Sequence, residues 1–348
     1  MVKNTNYTCV TTIYTMIAVA QSERTMTNTI PRIAVSILNY NSAPSTIACV
    51  QSLMNAEEAA KGSYRLDLYV SDNASSDEDQ QQLQHAISLA PNVHFKNNSK
   101  NLGFAAGHNS NLRTVFSQPH PDYIWILNND CIVAIEAPGE LLKCAQNDSH
   151  VGIWGATLLE VNGQTIQCAG GCTYNSWISS FKQFGKGTSL SELEKLKTID
   201  FDYISGASLF FPLATFQDGL RSVTVSSSEL QTQDTQWLNE CFFLFFEELD
   251  LAKRLAPGLS LGWAKDALIV HEGGASTGAR QNQRTSTAEY HSSLSALKFT
   301  SLYYPGHLWF TAPARFILKS LLLLFTGQYQ LLKPLKQAYR DFRSNKAE

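Results

Sequence analysis

The chain has 348 residues, 44% of them hydrophobic, and carries 27 Lys+Arg against 30 Asp+Glu, a formal net charge of -3. That apolar share supports a packed core and excludes wholesale disorder, while a pI near 6.2 speaks against bulk binding of nucleic acid. The charge is unevenly placed: Thr311 to Glu348 holds seven basic and two acidic residues, so this tail is +5 and the remainder -8.

Residues 1–30 read as a disordered or mis-started N-terminal extension. Ile13 to Ala20 ends in Ala18-Val19-Ala20 and mimics a secretory signal, but only Lys3 precedes it and threonines interrupt it. Met26 is the expected natural start. The seven cysteines are scattered and odd in number, which reads as free thiols in a reducing, cytoplasmic compartment.

From Pro31 short apolar runs alternate with helical segments. Ile33 to Leu38 is a buried strand ended by the turn residues Asn39, Asn41 and Ser42, and Pro44 opens a helix. Leu66 to Ser71 is a second strand, followed by Asp72-Asn73 and a helix capped by Asp77. Val93 to Lys96 is a third, and a helix from about Ala105 to Phe116 follows a glycine-bearing loop. Tyr123 to Leu127 is a fourth strand, ending in Asn128-Asn129-Asp130. This alternation predicts βαβ units and a mostly parallel sheet, whose ligands bind beyond the carboxyl ends of the strands. Polar groups after strands one, two and four converge there.

The second half is less regular. Val151 to Leu159 and Phe201 to Phe211 read as strands, the glycine-rich stretch 163–187 as polar connection, and Leu220 to Asp234 as a surface loop. Phe242 to Phe246 leads into the acidic helix start Glu247-Glu248-Leu249-Asp250, and Leu259 to Val270 is extended up to His271. In the tail, Ile317, Leu321 and Phe325 recur at helical spacing with Arg315 and Lys319 on the opposite side, and Lys333, Lys336, Arg340 and Arg343 follow. Such a helix suits an anionic membrane surface, and equally the catalytic domain or a homodimer interface.

Several residues can carry chemistry. Asp130 at a strand end suits a hard cation bearing a diphosphate, and His271 could be a second ligand. Asp72 can accept from a pyrimidine imide N–H. In Asn101 to Asn109, Gly103 and Gly107 let backbone approach a ligand at a helix start; the dinucleotide fingerprint and the P-loop are both absent. Glu247 and Glu248 lie behind an aromatic run, where a raised pKa suits a general base. Arg280 and Arg284 can hold phosphates bidentately.

Taken in order, Val35 to Asn41, Ser71 to Asp77, Asn101 to Asn109, Leu127 to Asp130, Ser205-Gly206-Ala207, Phe246 to Leu251 and His271 to Ser276 resemble the family-2 inverting glycosyltransferases of the GT-A fold, rhamnosyltransferase-like branch. The resemblance covers about Ile33 to Pro305. It implies an α/β GT-A domain over residues 31–305, to which the pattern of the tail adds a C-terminal amphipathic basic helical extension over 306–348. It further implies a nucleotide-sugar donor, with dTDP-L-rhamnose favoured, and a divalent metal, Mg²⁺ or Mn²⁺. The acceptor would be a hydroxyl of a cell-surface polysaccharide or lipid-linked glycan, reached in the cytoplasm or at the inner face of the plasma membrane. On this basis Glu248, assisted by Glu247, is the expected base, and Asp130 and His271 the metal ligands. Donor binding falls to Asn39, Asn41, Asp72, Asn73, Asn101, Gly103, Gly107, Asn109, Asn128, Arg280 and Arg284. Two departures stand out: Glu248 replaces the family's Asp, and Asn128-Asn129-Asp130 contains a single carboxylate. Transfer of a hexosamine or galactofuranose on the same fold, and a non-catalytic nucleotide-sugar-binding protein, are the alternative readings.

Overall fold

The computed structural model describes residues 29–88, 90, 92–221, 237–273 and 285–344. Its first half follows the predicted alternation: β1 (Arg32–Asn39), α1 (Ala43–Ala59), β2 (Arg65–Asp72), α2 (Asp77–Ile87), β3 (Val93–Asn97), α3 (Gly103–Phe116) and β4 (Tyr123–Asn128). The central strand β4 is apolar on both faces because helices cover both. In β4, Trp125 and Leu127 join the core shared with α1 and α2, while Ile124 and Ile126 join Leu112 of α3. Each fully buried side chain of this size contributes about 1.5–3 kcal/mol. Ser76 rather than Asp77 caps α2, accepting from the Asp79 amide at 3.4 Å. Asp79 instead reaches back to α1, accepting from the Ala43 amide at 2.8 Å.

β5 (Cys131–Val133), α4 (Ala137–Asn147), β6 (Val151–Leu159), β7 (Ile166–Ala169), β8 (Gly171–Asn175), β9 (Ser180–Gln183), β10 (Tyr203–Ile204), β11 (Ser208–Pro212) and α5 (Leu213–Gln217) follow. The chain continues with α6 (Glu247–Arg254), β12 (Ser260–His271), α7 (Ser286–Tyr303), α8 (Leu308–Phe325) and α9 (Leu332–Ser344). The main sheet has the order β3-β2-β1-β4-β11-β6-β12-β5, with β7 on β6, and β10-β8-β9 form a small antiparallel sheet. Strands β3, β2, β1, β4, β6 and β12 share one direction, so the sheet is mostly parallel, with helices flanking it.

The second half departs from the simple alternation. Phe201 to Phe211 is not one strand: Ser205-Gly206-Ala207 break it into β10, in the small sheet, and β11, in the main one. The stretch 163–187 is not merely polar connection, because it contains β7, β8 and β9. The basic side of α8 packs on the domain, one of the alternatives open for the tail helix: Arg315 donates to the carbonyls of Ser179 and Ser292, and Lys319 lies 2.7 Å from the buried Glu289 of α7. Residues 1–28 and most of 220–234 lie outside the described residues. The described cysteines are free thiols.

Antiparallel pairing places the site. Ser208 of β11 stands beside Leu127 of β4, so the preceding turn, Ser205 to Ala207, lies at the carboxyl end of β4, where the Asn128 amide donates to the Ala207 carbonyl at 3.0 Å. β12 ends at the same edge with His271 opposite Cys131.

Candidate active site

A cleft of about 650 Å³ opens at this edge of the sheet. Five of the predicted donor-side residues line it: Asn41, Asn73, Asn101, Gly103 and Asn128. Four others stand behind its wall. Asn39 is buried and donates to Asp72 and Asp79 at 2.8 and 2.7 Å. Asp72 is also buried, its carboxylate taken up by Asn39 and by the Ser75 amide and hydroxyl, so it shapes the turn that presents Asn73. Gly107 serves helix packing, since a Cβ there would lie 2.6 Å from Leu38 Cδ2. Asn109 tethers the segment before α6, donating to the Leu238 carbonyl at 2.8 Å and accepting from its amide at 3.0 Å. Arg280 and Arg284 lie outside the described residues.

Gly103 is required by its geometry. Its φ is +75°, and an added methyl would run into the Phe243 carbonyl, which also accepts from the Phe104 amide at 2.7 Å. The start of α3 is thereby clamped to the aromatic segment preceding α6. His108, from the next turn, also lines the cleft. Its Nδ1 meets Ser36 Oγ at 2.8 Å, and burial pushes its pKa down to about 3, so it is neutral at physiological pH.

Asp130 and His271 come together at the far wall, with His271 Nε2 3.2 Å from Asp130 Oδ1. His271 Nδ1 lies 2.7 Å from Gln167 Oε1, an acceptor, which assigns the ring proton to Nδ1. The Nε2 lone pair then faces a carboxylate oxygen, and Asn128 Nδ2 lies 3.2 Å from the same nitrogen. An imidazole oriented by Gln167 beside a carboxylate is a donor set that fits a divalent metal. Cys131 has its thiol within 4.8 Å of both groups. It is fully buried, donates to the Ala207 carbonyl, and is held protonated by burial and the Asp130 charge, so it serves the core.

Glu247 and Glu248 open α6 after Phe245 and Phe246, two consecutive residues with φ of 69° and 75°. Such left-handed backbone at bulky residues costs on the order of 1–3 kcal/mol each and is held by the surrounding packing. The strain turns both carboxylates into the cleft. Glu247 is buried, its Oε2 has no hydrogen-bond partner among the described residues, and burial with the neighbouring Glu248 raises its pKa well above the usual range. Burial pushes Glu248 up to about 7. The third acid of the cluster, Asp250, has a different task. It is pinned by Arg254 at 2.7 Å, Asn239 at 3.0 Å and Tyr303 at 2.7 Å, and fixes α6 in place.

A second cavity, of about 260 Å³, adjoins the first and is walled by Tyr174, Phe181, Tyr203 and Phe246. Glu248, Ser205, Gly206, Phe245 and Gln183 line both. Gly206 faces the carboxyl group, its Cβ position lying 3.6 Å from Glu248 Cδ. Sequence reasoning did not single out Gln167, His108, Gln183 or Gly206 as site residues. Gln167 carries no local signal, because it reaches His271 across 104 residues of chain.

A sheet of this order, with a donor-sized cleft at its carboxyl edge and helices on both faces, is the GT-A glycosyltransferase fold. Residues 34–166 match Glycosyl transferase family 2, and the match and the fold together support a glycosyltransferase. Among solved structures, GalNAc-T7 with UDP, GalNAc and Mn²⁺ superposes with a TM-score of 0.53 at 12% identity, over 80% of this chain. The chain spans 50% of the length of that structure. The mannosyltransferase PcManGT from Pyrobaculum calidifontis, in complex with GDP-Man and Mn²⁺, gives 0.45 at 13% identity, covering 98% of each chain. S. aureus TarS 1-349 gives 0.45 at 11% identity, over 90% of this chain and 92% of that one. No curated protein matches.

Proposed function

We propose that this protein is an inverting glycosyltransferase that binds a nucleotide-sugar in the larger cleft and an acceptor hydroxyl in the smaller cavity. The observation that carries this reading is the position of Glu248, whose carboxyl group lies on the boundary of both cavities. A carboxylate there, with a pKa pushed up to about 7, is a competent base near neutral pH. Glu248 takes the acceptor proton as the oxygen attacks the anomeric carbon. The anomeric C–O bond breaks on the opposite face, and the nucleoside diphosphate leaves with the bonding electrons. Burial and the neighbouring Glu248 raise the Glu247 pKa well above the usual range, which disfavours a second full charge at the reacting centre. Neutral His108 and the asparagines Asn73, Asn101 and Asn128 offer uncharged hydrogen bonds to the donor.

Asp130 and His271 are the residues that would hold Mg²⁺ or Mn²⁺, and a bound cation would supply positive charge against the diphosphate. The UDP and Mn²⁺ named with the GalNAc-T7 structure agree with this assignment. The ordered sequence motifs favour dTDP-L-rhamnose as donor, and the aromatic walls of the smaller cavity suit the apolar face of a sugar in a glycan or lipid-linked glycan acceptor.

Incubating the protein with a panel of nucleotide-sugars, dTDP-rhamnose included, tests the reading. Release of nucleoside diphosphate, slow in water and faster with a glycan acceptor, is the expected result. A protein that binds donors and never turns them over is a binding protein, and the proposal fails.

A further inference from the structure

We propose that the outward face of α8, with the basic stripe of α9, docks on an anionic lipid bilayer, α8 lying in the interface rather than crossing it. Helix α8 is packed inside out. Its polar side chains point into the protein: Thr311 donates to the Ser176 carbonyl at 3.1 Å, Arg315 is 8% exposed and bonds the carbonyls of Ser179 and Ser292, and Lys319 pairs with Glu289. Its large apolar side chains point out, with Ile317 56% exposed, Phe325 86% and Trp309 75%. Leu318, Leu321 and Leu322 complete the face. A helix surrounded by water carries the reverse arrangement.

Pro305–Phe325 is long and apolar enough to cross a membrane by length and composition. Crossing would pull Arg315 and Lys319 from their buried partners into hydrocarbon, where an unpaired charge is strongly disfavoured. Lying in the interface keeps those bonds and covers the apolar face. Two further observations select a lipid surface over a second copy of the chain. No acidic residue occurs between Pro305 and Arg340, and in α9 the exposed Lys333, Lys336, Arg340 and Arg343 recur at helical spacing and form one stripe. Leu323 packs with Leu331 and Leu335, and Phe316 with Tyr339, so α9 folds back along α8 as a hairpin. A two-fold dimer through this hairpin would set like charges near one another, whereas anionic headgroups complement them. In addition, Trp177 stacks on His307 with ring centres 3.9 Å apart and meets Phe310 edge-on, beside Trp309, an aromatic cluster of the type found at lipid–water boundaries.

The docking stands independently of the transferase reading, and its test uses no enzymatic readout. The full chain is sedimented with phosphatidylcholine vesicles with and without phosphatidylglycerol. Binding to the anionic vesicles that weakens with salt is expected, as is quenching of tryptophan emission by brominated lipid that is reduced in Trp309→Phe. The variant Ile317→Ser/Leu321→Ser/Phe325→Ser changes exposed positions only and should keep the wild-type circular dichroism. It should lower vesicle partitioning by about tenfold or more. Replacing Lys333, Lys336, Arg340 and Arg343 by Ser should remove the preference for anionic lipid. Failure of the wild-type chain to bind vesicles or to show brominated-lipid quenching overturns the proposal. So does a triple variant that still binds vesicles fully but turns a dimer into a monomer, which would make the face a contact between copies.

Discussion

His271 Nε2 lies 3.2 Å from Asp130 Oδ1, and the Gln167 side chain at 2.7 Å from Nδ1 holds the imidazole in that orientation. Two residues far apart in sequence thus bring an imidazole nitrogen and a carboxylate oxygen together. Mn²⁺ should bind there, detectable by calorimetry and by a rise in Tm without any substrate. Asp130→Asn and His271→Ala should each remove most of the affinity, and Gln167→Ala should weaken it by about 10–100-fold. Unchanged Mn²⁺ affinity in the Asp130→Asn/His271→Ala double variant would count against the site.

Glu248→Gln should abolish sugar transfer while leaving nucleotide-sugar affinity within a few fold. The base must be ionised to act, and its pKa is pushed up to about 7. Hence kcat/KM should climb about tenfold per pH unit below that value and level off above it. A flat profile between pH 5 and 8, or near-normal turnover in the Gln variant, assigns the proton to another group.

The same carboxylates make stability depend on pH. Both Glu247 and Glu248 have pKa values raised in the folded state, so folding binds protons that the unfolded chain would release. Their stabilising share is complete below the ordinary Glu pKa and is lost as pH rises through the raised values. Glu247→Gln should therefore raise Tm by a few degrees at pH 8, corresponding to on the order of 1–3 kcal/mol, and change it little at pH 4. Thermal melts across this range provide the check.

Lys319 and Glu289 form a nearly dry ion pair between α8 and α7, with the Glu289 side chain fully buried and a 2.7 Å separation. Glu289→Ala leaves a buried ammonium and should cost about 3–5 kcal/mol in chemical denaturation. Glu289→Ala/Lys319→Met should recover most of that loss. Equal destabilisation in the single and double variants would show that the pair's charge is not what matters.

Glycine positions offer a contrast within one protein. Gly103→Ala combines a φ of +75° with collision against the Phe243 carbonyl, and should cost more than about 2 kcal/mol and weaken donor binding. Gly163→Ala has a φ of +65° but open space around it, and should cost about 1 kcal/mol with donor binding unchanged.

The first half of the fold was legible because each of β1, β2 and β4 is a short apolar run that ends in polar turn residues. The break at Ser205 to Ala207 was not, since β10 and β11 are both apolar and only their partners differ. β8 and β9 are half-exposed and polar on one face, so their composition resembles that of a loop. α7 lacks an apolar stripe: it buries Ser293, Ser295 and Thr300, whose hydroxyls bond Glu289, the Leu244 carbonyl and the Ala296 carbonyl. In the site, Asn41, Asn73 and Asn128 line the cleft, whereas Asn39 and Asp72 turn inward. Residue type marks such positions as turn formers; which way the side chain points depends on contacts made across the sheet.

Asp250 has a consequence beyond its own ion pair. It receives the Tyr303 hydroxyl, Ser295 bonds the Leu244 carbonyl and Lys298 the Cys241 carbonyl, so α7 grips both the strained turn and the helix that carries Glu248. On its other side α7 holds Lys319 through Glu289 and Asp341 through Tyr290. The helical hairpin is thus a buttress of the catalytic frame rather than a detachable anchor. Excising it would strip α7 of its outer partners and loosen the seat of Glu248, the base proposed above, so removal of the hairpin should lower transfer even in a solution with no lipid present.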